Sequence, residues 1–217
     1  MGVSSKAYVQ FIESINQNEE ELVTILELGT QDIVDESVKI ALHKSISDLY
    51  YNETGLFKFY LNKLGYNVVS IDIMGDRGSI PVNLCEDIGV WNLGKFDIIT
   101  NYGTTEHVDN QFMCWKNIHN SLKLGGIIIN EIPKVHNWPG HCEFYYDLNF
   151  FNEFQKIGYE IIYNKEHMYE ENGALIAVSI KKIKDVEFFT DETLFNSLIH
   201  TTNKTSILIN QYWKNKL

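Results

Sequence analysis

The 217-residue chain reads as an α/β protein built on a mostly parallel sheet with helices on both faces. Three observations carry that reading. Short β-branched and aliphatic runs alternate with stretches of helical periodicity. Two of those runs, VTILELG (Val23–Gly29) and VVSID (Val68–Asp72), carry an acidic side chain beside a sharp turn, as nucleotide-binding sheets do at the carboxyl ends of their strands. Strands joined through helices form right-handed crossovers, which makes them parallel. The length suits one hydrophobic core, so a single domain is expected over 1–217, with a leading helix over 5–20, a core over 23–181 and a helical extension over 185–217.

Tyr8, Phe11, Ile12 and Ile15 share one face of the leading helix, and the charged run from Glu19 ends it. The first strand is Val23–Leu28. Asp35 is placed to cap a helix over Asp35–Tyr50, with Val38, Leu42, Ile46 and Leu49 inward, and a second helix runs from Glu53 to Leu64, stopped by Gly65. Asn67–Ile73 is the second strand, followed by the loop MGDRGSIPVN and a short third strand at Leu84–Ile88. Phe96–Thr100 is a fourth, apolar on both faces apart from Asp97. Phe112, Trp115, Ile118 and Leu122 mark a helix closed by Gly125 and Gly126, and Ile127–Ile132 is the fifth strand. After a polar and aromatic loop over 133–146, Asp147 caps a helix that Gly158 stops. Tyr159–Tyr163 and Ala174–Lys181 complete seven strands, the last antiparallel because its connection is short.

Composition removes several function classes. A net charge of −11 opposes nucleic acid as the main partner, since phosphate binding needs clustered Lys and Arg. No apolar run approaches the about 18 residues of a membrane span, and the first residues lack a signal-peptide core. Cys85, Cys114 and Cys142 lack metal-ligand spacing and read as reduced thiols of a cytoplasmic protein.

The chemistry begins at Glu27 and Gly29, where glycine lets a ligand approach the backbone after the first strand. Asp72, ending the second strand, is placed to accept hydrogen bonds from two ribose hydroxyls. Asp87 reads either as a solvated loop charge or, by its position, as a carboxylate placed to accept from an exocyclic adenine amine with Ile88 against the ring. The Gly-x-Gly-x-x-Gly of nicotinamide-binding proteins is missing, which argues against a dehydrogenase.

ELG (Glu27–Gly29), SID (Ser70–Asp72), EDI (Glu86–Ile88), FDIITNYGTTEHV (Phe96–Val108) and LKLGGIIINEIP (Leu122–Pro133) stand in an order that resembles the class I S-adenosylmethionine-dependent methyltransferases. With PGHCEFYYDLNFF (Pro139–Phe151) they resemble a bacterial branch that has a Gly-Thr-x-Glu-His motif and is loosely associated with carbohydrate modification. The resemblance implies a seven-stranded Rossmann-like sheet and S-adenosylmethionine as cofactor. It puts Glu27, Gly29, Thr30 and Gln31 near the methionine part, Asp72 and Ile73 at ribose and adenine, Asp87 and Ile88 at adenine, and Asn101, Tyr102 and Gly103 beside the sulfonium. Gln31 and Ile33 occupy the second and third glycine positions of the family's loop, and the Asp35–Tyr50 segment is expected to close over the cofactor instead.

His141 and His107 are the acid–base candidates, because imidazole takes a hydroxyl proton near neutral pH; for His107 the alternative is that it and Glu106 cap the next helix. A metal site from His136, His141 and Glu106 is not expected, as no carboxylate-rich triad for magnesium is present. Of the aromatic residues Phe144, Tyr145, Tyr146, Phe150 and Phe151, the two tyrosines are candidates for an acceptor pocket, with core packing favoured. The expected function is methyl transfer to a small polar acceptor such as a sugar hydroxyl. The alternative is a binding module that keeps the fold without turnover, within a larger assembly.

Overall fold

The computed structural model describes residues 2–17, 23–46, 55–170 and 172–201. A seven-stranded sheet runs through the middle of the chain. Along the sequence come β1 (Gly2–Val3), α1 (Ser5–Ile15), β2 (Thr24–Leu28), β3 (Asp32–Ile33), α2 (Glu36–Ser45), α3 (Phe57–Lys63), β4 (Asn67–Asp72) and β5 (Ile80–Pro81). They are followed by β6 (Phe96–Tyr102), α4 (Gln111–Ser121), β7 (Leu122–Pro133), β8 (Phe144–Tyr145), α5 (Leu148–Glu153), β9 (Tyr159–Tyr169), β10 (Gly173–Lys182), α6 (Glu192–Asn196) and β11 (His200–Thr201). The large sheet has the order β5-β4-β2-β6-β7-β10-β9. Strands β5 to β7 pair parallel, and β10 runs antiparallel between β7 and β9. The expected mostly parallel sheet with an antiparallel last strand is the one observed.

Alternation along the strands divides the core in two, because successive side chains face opposite sides. Ile25, Ile98, Ile127 and Ile129 meet Phe11, Val38, Phe57 and Leu61 from α1, α2 and α3 on one face. Leu26, Leu28, Ile99 and Ile128 meet Trp115, Ile118, Phe150, Phe154 and Phe195 from the α4, α5 and α6 region on the other. Helices thus cover both faces. The helix starts follow side-chain chemistry: Asp35 accepts from Ser37 N–H at 3.0 Å, Asn110 from Met113 N–H at 3.0 Å and Asp147 from Phe150 N–H at 3.0 Å.

Several boundaries differ from expectation for local reasons. Leu84–Ile88 is not a strand: Asn117 of α4 donates to Leu84 O and Glu86 O and accepts from Ile88 N–H, so side-chain bonds replace a ladder there. The third parallel strand is instead the two-residue β5. Gly125 and Gly126 do not close α4 but lie inside β7, where the pairing jumps from Phe96–Leu122 to Ile98–Ile127. At Gly126 a Cβ would sit 2.9 Å from Asp97 O, so the bulge needs that glycine. β9 runs on to Tyr169, past the expected Tyr163. Helix α2 stops at Ser45 and α3 begins at Phe57; the expected helical residues between 47 and 54, the end of the leading helix at 18–20 and the extension beyond 201 lie outside the described residues.

Candidate cofactor crevice and acid–base cluster

The chain leaves β2 toward β4 on one side and, later, extends from β6 toward β7 on the other. In such a sheet, ligands bind outside the carboxyl ends of the strands where the order reverses, here above β2 and β6. Gly29 turns the chain at this point with φ +69°, and a Cβ on it would meet Thr104 Oγ1 at 2.6 Å. The loop then folds back. Thr30 N–H donates to Asp72 Oδ2 at 3.0 Å, while Met74 N–H donates to Oδ1 at 3.0 Å, so Asp72 ties the loops after β2 and β4 together. Gln31 is buried with its amide donating to Leu28 O at 3.0 Å, and Ile33 joins the core as part of β3, which pairs with β1. The two non-glycine residues therefore have structural places, and no helix begins at the turn; α2 starts later, behind Asp35. Ile73, beside Asp72, is 51 % exposed and free to meet a ring.

Beneath the turn lies a polar row. Ser70, Glu27 and Thr100 are register partners on β4, β2 and β6, all buried on one face. Neither carboxylate oxygen of Glu27 has a hydrogen-bond partner. Burial pushes its pKa up to about 7, offset only in part by the Ser70 hydroxyl beside it and the Lys58 ammonium. Tyr102 is buried on the same face with a partnerless hydroxyl, its pKa held far up by burial and then by the Glu131 and Glu27 charges.

The GTTEH segment is fixed by Asn101. Its amide donates to Thr105 Oγ1 at 2.9 Å and to Asn130 Oδ1 at 3.0 Å, and its carbonyl accepts from Thr104 and Thr105 N–H at 3.3 and 3.2 Å. Gly103 supplies φ +81° for the turn, and Thr104 Oγ1 donates to Leu28 O at 2.7 Å, latching β6 to the end of β2. Thr105–His107 then form one 3₁₀ turn. Glu106 and His107 do not cap α4, since Asn110 does so.

The turn carries Glu106 to the foot of a cluster. Glu106 is fully buried, and both its oxygens lack a partner. The Nε2 atoms of His107 and His141 lie 3.9 and 4.0 Å from its Oε1, and the two rings meet edge-on with centroids 5.1 Å apart. Their side chains are 40 % and 28 % exposed, but His141 Nε2 is buried with the carboxyl and has no partner. Burial raises the Glu106 pKa to about 8 and lowers that of His141; burial and then the neighbouring His141 push His107 down to about 4. In each of the three, burial favours the neutral form. His141 is delivered by a loop in which His136 and Trp138 take φ of +65° and +52°, and Trp138 packs against its ring. His136, grouped with His141 and Glu106 in the sequence, is not a member.

Two solved structures share this architecture. The 1,6-didemethyltoxoflavin-N1-methyltransferase of Burkholderia thailandensis, with bound 1,6-didemethyltoxoflavin and S-adenosylhomocysteine, superposes with a TM-score of 0.53 at 10 % identity over 83 % of this chain and 78 % of that one. A putative S-adenosylmethionine-dependent methyltransferase from Listeria monocytogenes does so with a TM-score of 0.51 at 12 % identity, over 82 % of this chain and 98 % of that one. The chain has the methyltransferase fold. The sequence itself matches no family profile and no curated protein.

Within the methyltransferase fold the remaining sequence candidates divide. Asp87 is exposed and caps its own turn, accepting from Gly89 N–H at 2.9 Å, whereas Ile88 points into the core and offers no surface to a ring. Tyr145 and Tyr146 are buried; their hydroxyls donate to Trp138 O at 3.0 Å and Gln111 Oε1 at 2.6 Å, so they support the His141 loop and the start of α4. Thr104 lies in the Gly-Thr-x-Glu-His motif without its latching role being signalled there, and Asn117 stands in no pattern that announces its role. Glu106 was signalled as the Glu of the Gly-Thr-x-Glu-His motif and in the grouping with His136 and His141, but not as a partner of His107. Among the described residues no helix is long and apolar enough to cross a membrane.

Proposed function

We propose that the chain is an S-adenosylmethionine-dependent methyltransferase acting on a small polar acceptor, with a sugar hydroxyl the preferred class and the cytoplasm the place of action. The reading is carried by one observation: in a methyltransferase fold, the buried and partnerless Glu27 carboxyl lies directly beneath the Gly29 turn at the reversal of strand order. A ligand with a primary ammonium would supply what that carboxyl lacks, and the α-ammonium of S-adenosylmethionine is such a group. Thr30 and Gln31 would border the methionine part, Asp72 and Ile73 the ribose and adenine, Asp87 the adenine edge, and Asn101, Tyr102 and Gly103 the sulfonium side. No pyrophosphate has to be held, which fits a loop without a helix start at its glycine.

Transfer would be in line. The acceptor oxygen forms the C–O bond as the S–CH3 bond breaks, the bonding pair stays on sulfur to give S-adenosylhomocysteine, and the hydroxyl proton passes to His141 Nε2. His107 would support that ring from the side. Alignment supplies most of the rate and proton transfer a further part. The acidic net charge favours a small acceptor over nucleic acid.

Calorimetry of the tag-free chain against S-adenosylmethionine, S-adenosylhomocysteine and NAD tests the cofactor. One-to-one binding of the first two is expected, and binding of NAD alone overturns the reading. A screen of sugars and small hydroxylated metabolites for homocysteine-nucleoside release then tests turnover. Gln31, filling a glycine position, favours one rival: a module that binds the cofactor without turning it over. Tight cofactor binding with no release on any acceptor would support that rival.

A further inference from the structure

The cluster of Glu106, His107 and His141 has a donor set that proton transfer alone does not require. Its three potential ligand atoms, one carboxylate oxygen and two imidazole nitrogens, all lie within 4.8 Å of one another. The carboxylate is fully buried, and both its oxygens and His141 Nε2 are without partners. A buried carboxyl left so is costly, about 1–3 kcal/mol for a lost partner, and folds retain such groups where a ligand completes them. Trp138 and His107 both pack edge-on against the His141 ring, whose Nε2 is buried, while parts of both histidine side chains reach solvent.

We propose that Glu106, His107 and His141 hold a first-row divalent transition-metal cation of the zinc class, with at least one coordination position open toward the crevice. Two imidazoles and one carboxylate are the donors of catalytic zinc sites and of facial-triad metal sites. Magnesium and calcium take oxygen donors and are not served by two imidazoles. For metal–ligand bonds of about 2.0–2.1 Å the donor atoms of a tetrahedral site stand about 3.3 Å apart. The observed separations of 3.9 and 4.0 Å therefore close by rotation of two partly exposed rings, with the buried Glu106 staying in place.

What the ion does rests on the methyltransferase reading; that it binds does not. If the acceptor docks here, its oxygen takes the open position, and the cation lowers the hydroxyl pKa so that the proton leaves to solvent. The ion then takes over the task given above to the free His141 ring.

The test uses the full-length, tag-free chain stripped with a chelator, titrated calorimetrically with Zn2+ and with Mg2+ and followed in the visible with Co2+. Expected are one Zn2+ per chain, no Mg2+ heat, and the intense Co2+ absorption of a four-coordinate nitrogen–oxygen site. Glu106→Gln, His107→Ala and His141→Ala should each weaken Zn2+ by more than the about 10–100-fold that loss of a supporting partner costs. Should Glu106→Gln fail to fold, the two histidine variants at partly exposed positions decide the matter. Absence of the Co2+ signal, or Zn2+ affinity unchanged in the variants, overturns the proposal. S-adenosylhomocysteine binding is measured in parallel: cofactor without metal sinks this site alone, and metal without cofactor sinks the methyltransferase reading alone.

Discussion

Replacing Glu27 by glutamine should make the protein more stable than the parent in alkaline relative to acid conditions. The carboxyl is raised from 4.5 to about 7 by burial. It therefore stays protonated in the folded chain while the unfolded chain has already released its proton. The stability it contributes is fully present below pH 4.5 and is lost as the pH rises to about 7. At 1.36 kcal/mol per pH unit the whole span is worth about 3 kcal/mol, of which about 2–3 kcal/mol falls between pH 5 and 8. For a domain of this size that corresponds to about 5–10 °C in Tm. The amide of Glu27→Gln does not titrate, so its own buried-polar cost is the same at both pH values. Urea unfolding of parent and variant at pH 5 and pH 8 isolates the effect: the difference between the two proteins should move by about 2–3 kcal/mol in favour of the variant. An unchanged difference would mean that the Glu27 carboxyl is solvated or paired in solution, and the ammonium-binding role would lose its basis.

Asp72→Ala should weaken S-adenosylhomocysteine binding by about 1.5–3 kcal/mol and, because two backbone N–H groups bond its oxygens, should also lower Tm. Calorimetry and thermal unfolding read the two effects, and parent-like affinity removes the ribose assignment. His141→Ala should lower turnover about 10²-fold with cofactor affinity nearly intact in steady-state assays and calorimetry, and turnover equal to the parent's removes His141 from the chemistry. Gly29→Ala combines a positive φ with a contact at 2.6 Å to Thr104 Oγ1 and should cost about 1–3 kcal/mol of stability in urea unfolding, whereas a neutral result would mean that the β2–β6 latch is loose.

The parallel strands were legible because Thr24–Leu28, Asn67–Asp72 and Phe96–Tyr102 are short apolar runs between polar turns, and burial on both faces demands that composition. Three strand features were not. Strand β5 is two residues long and has no period to detect, and β7 begins inside LKLGG because a bulge accommodates glycines that otherwise signal a helix end. The loop over Leu84–Ile88 looked like a strand because its backbone is satisfied by Asn117, which a local pattern does not contain. At the site, Gly29 and Asp72 were readable from their places at strand ends. The Glu106–His141 approach was not: 35 positions separate the two in sequence, and only the lateral pairing of β6 with β7 brings their loops together.

The two sides of that cluster are anchored to different parts of the fold, the first through the Asn101 hub. Through Asn130 it is joined to Val178 O on β10 and to Gln10 on α1, so Glu106 is anchored to a lattice of hydrogen bonds spanning four elements. His141 stands on a loop whose left-handed Trp138 donates its N–H to Asn172 O at 2.8 Å and packs against Tyr169, while Asn137 Oδ1 accepts from Ala174 N–H at 3.0 Å. Both sides are tied, Glu106 through the sheet and His141 through the end of β9 and the start of β10. A change at Asn172 or Ala174 therefore reaches His141 through the loop between Pro133 and Asp147, while the carboxyl beneath is held through the sheet.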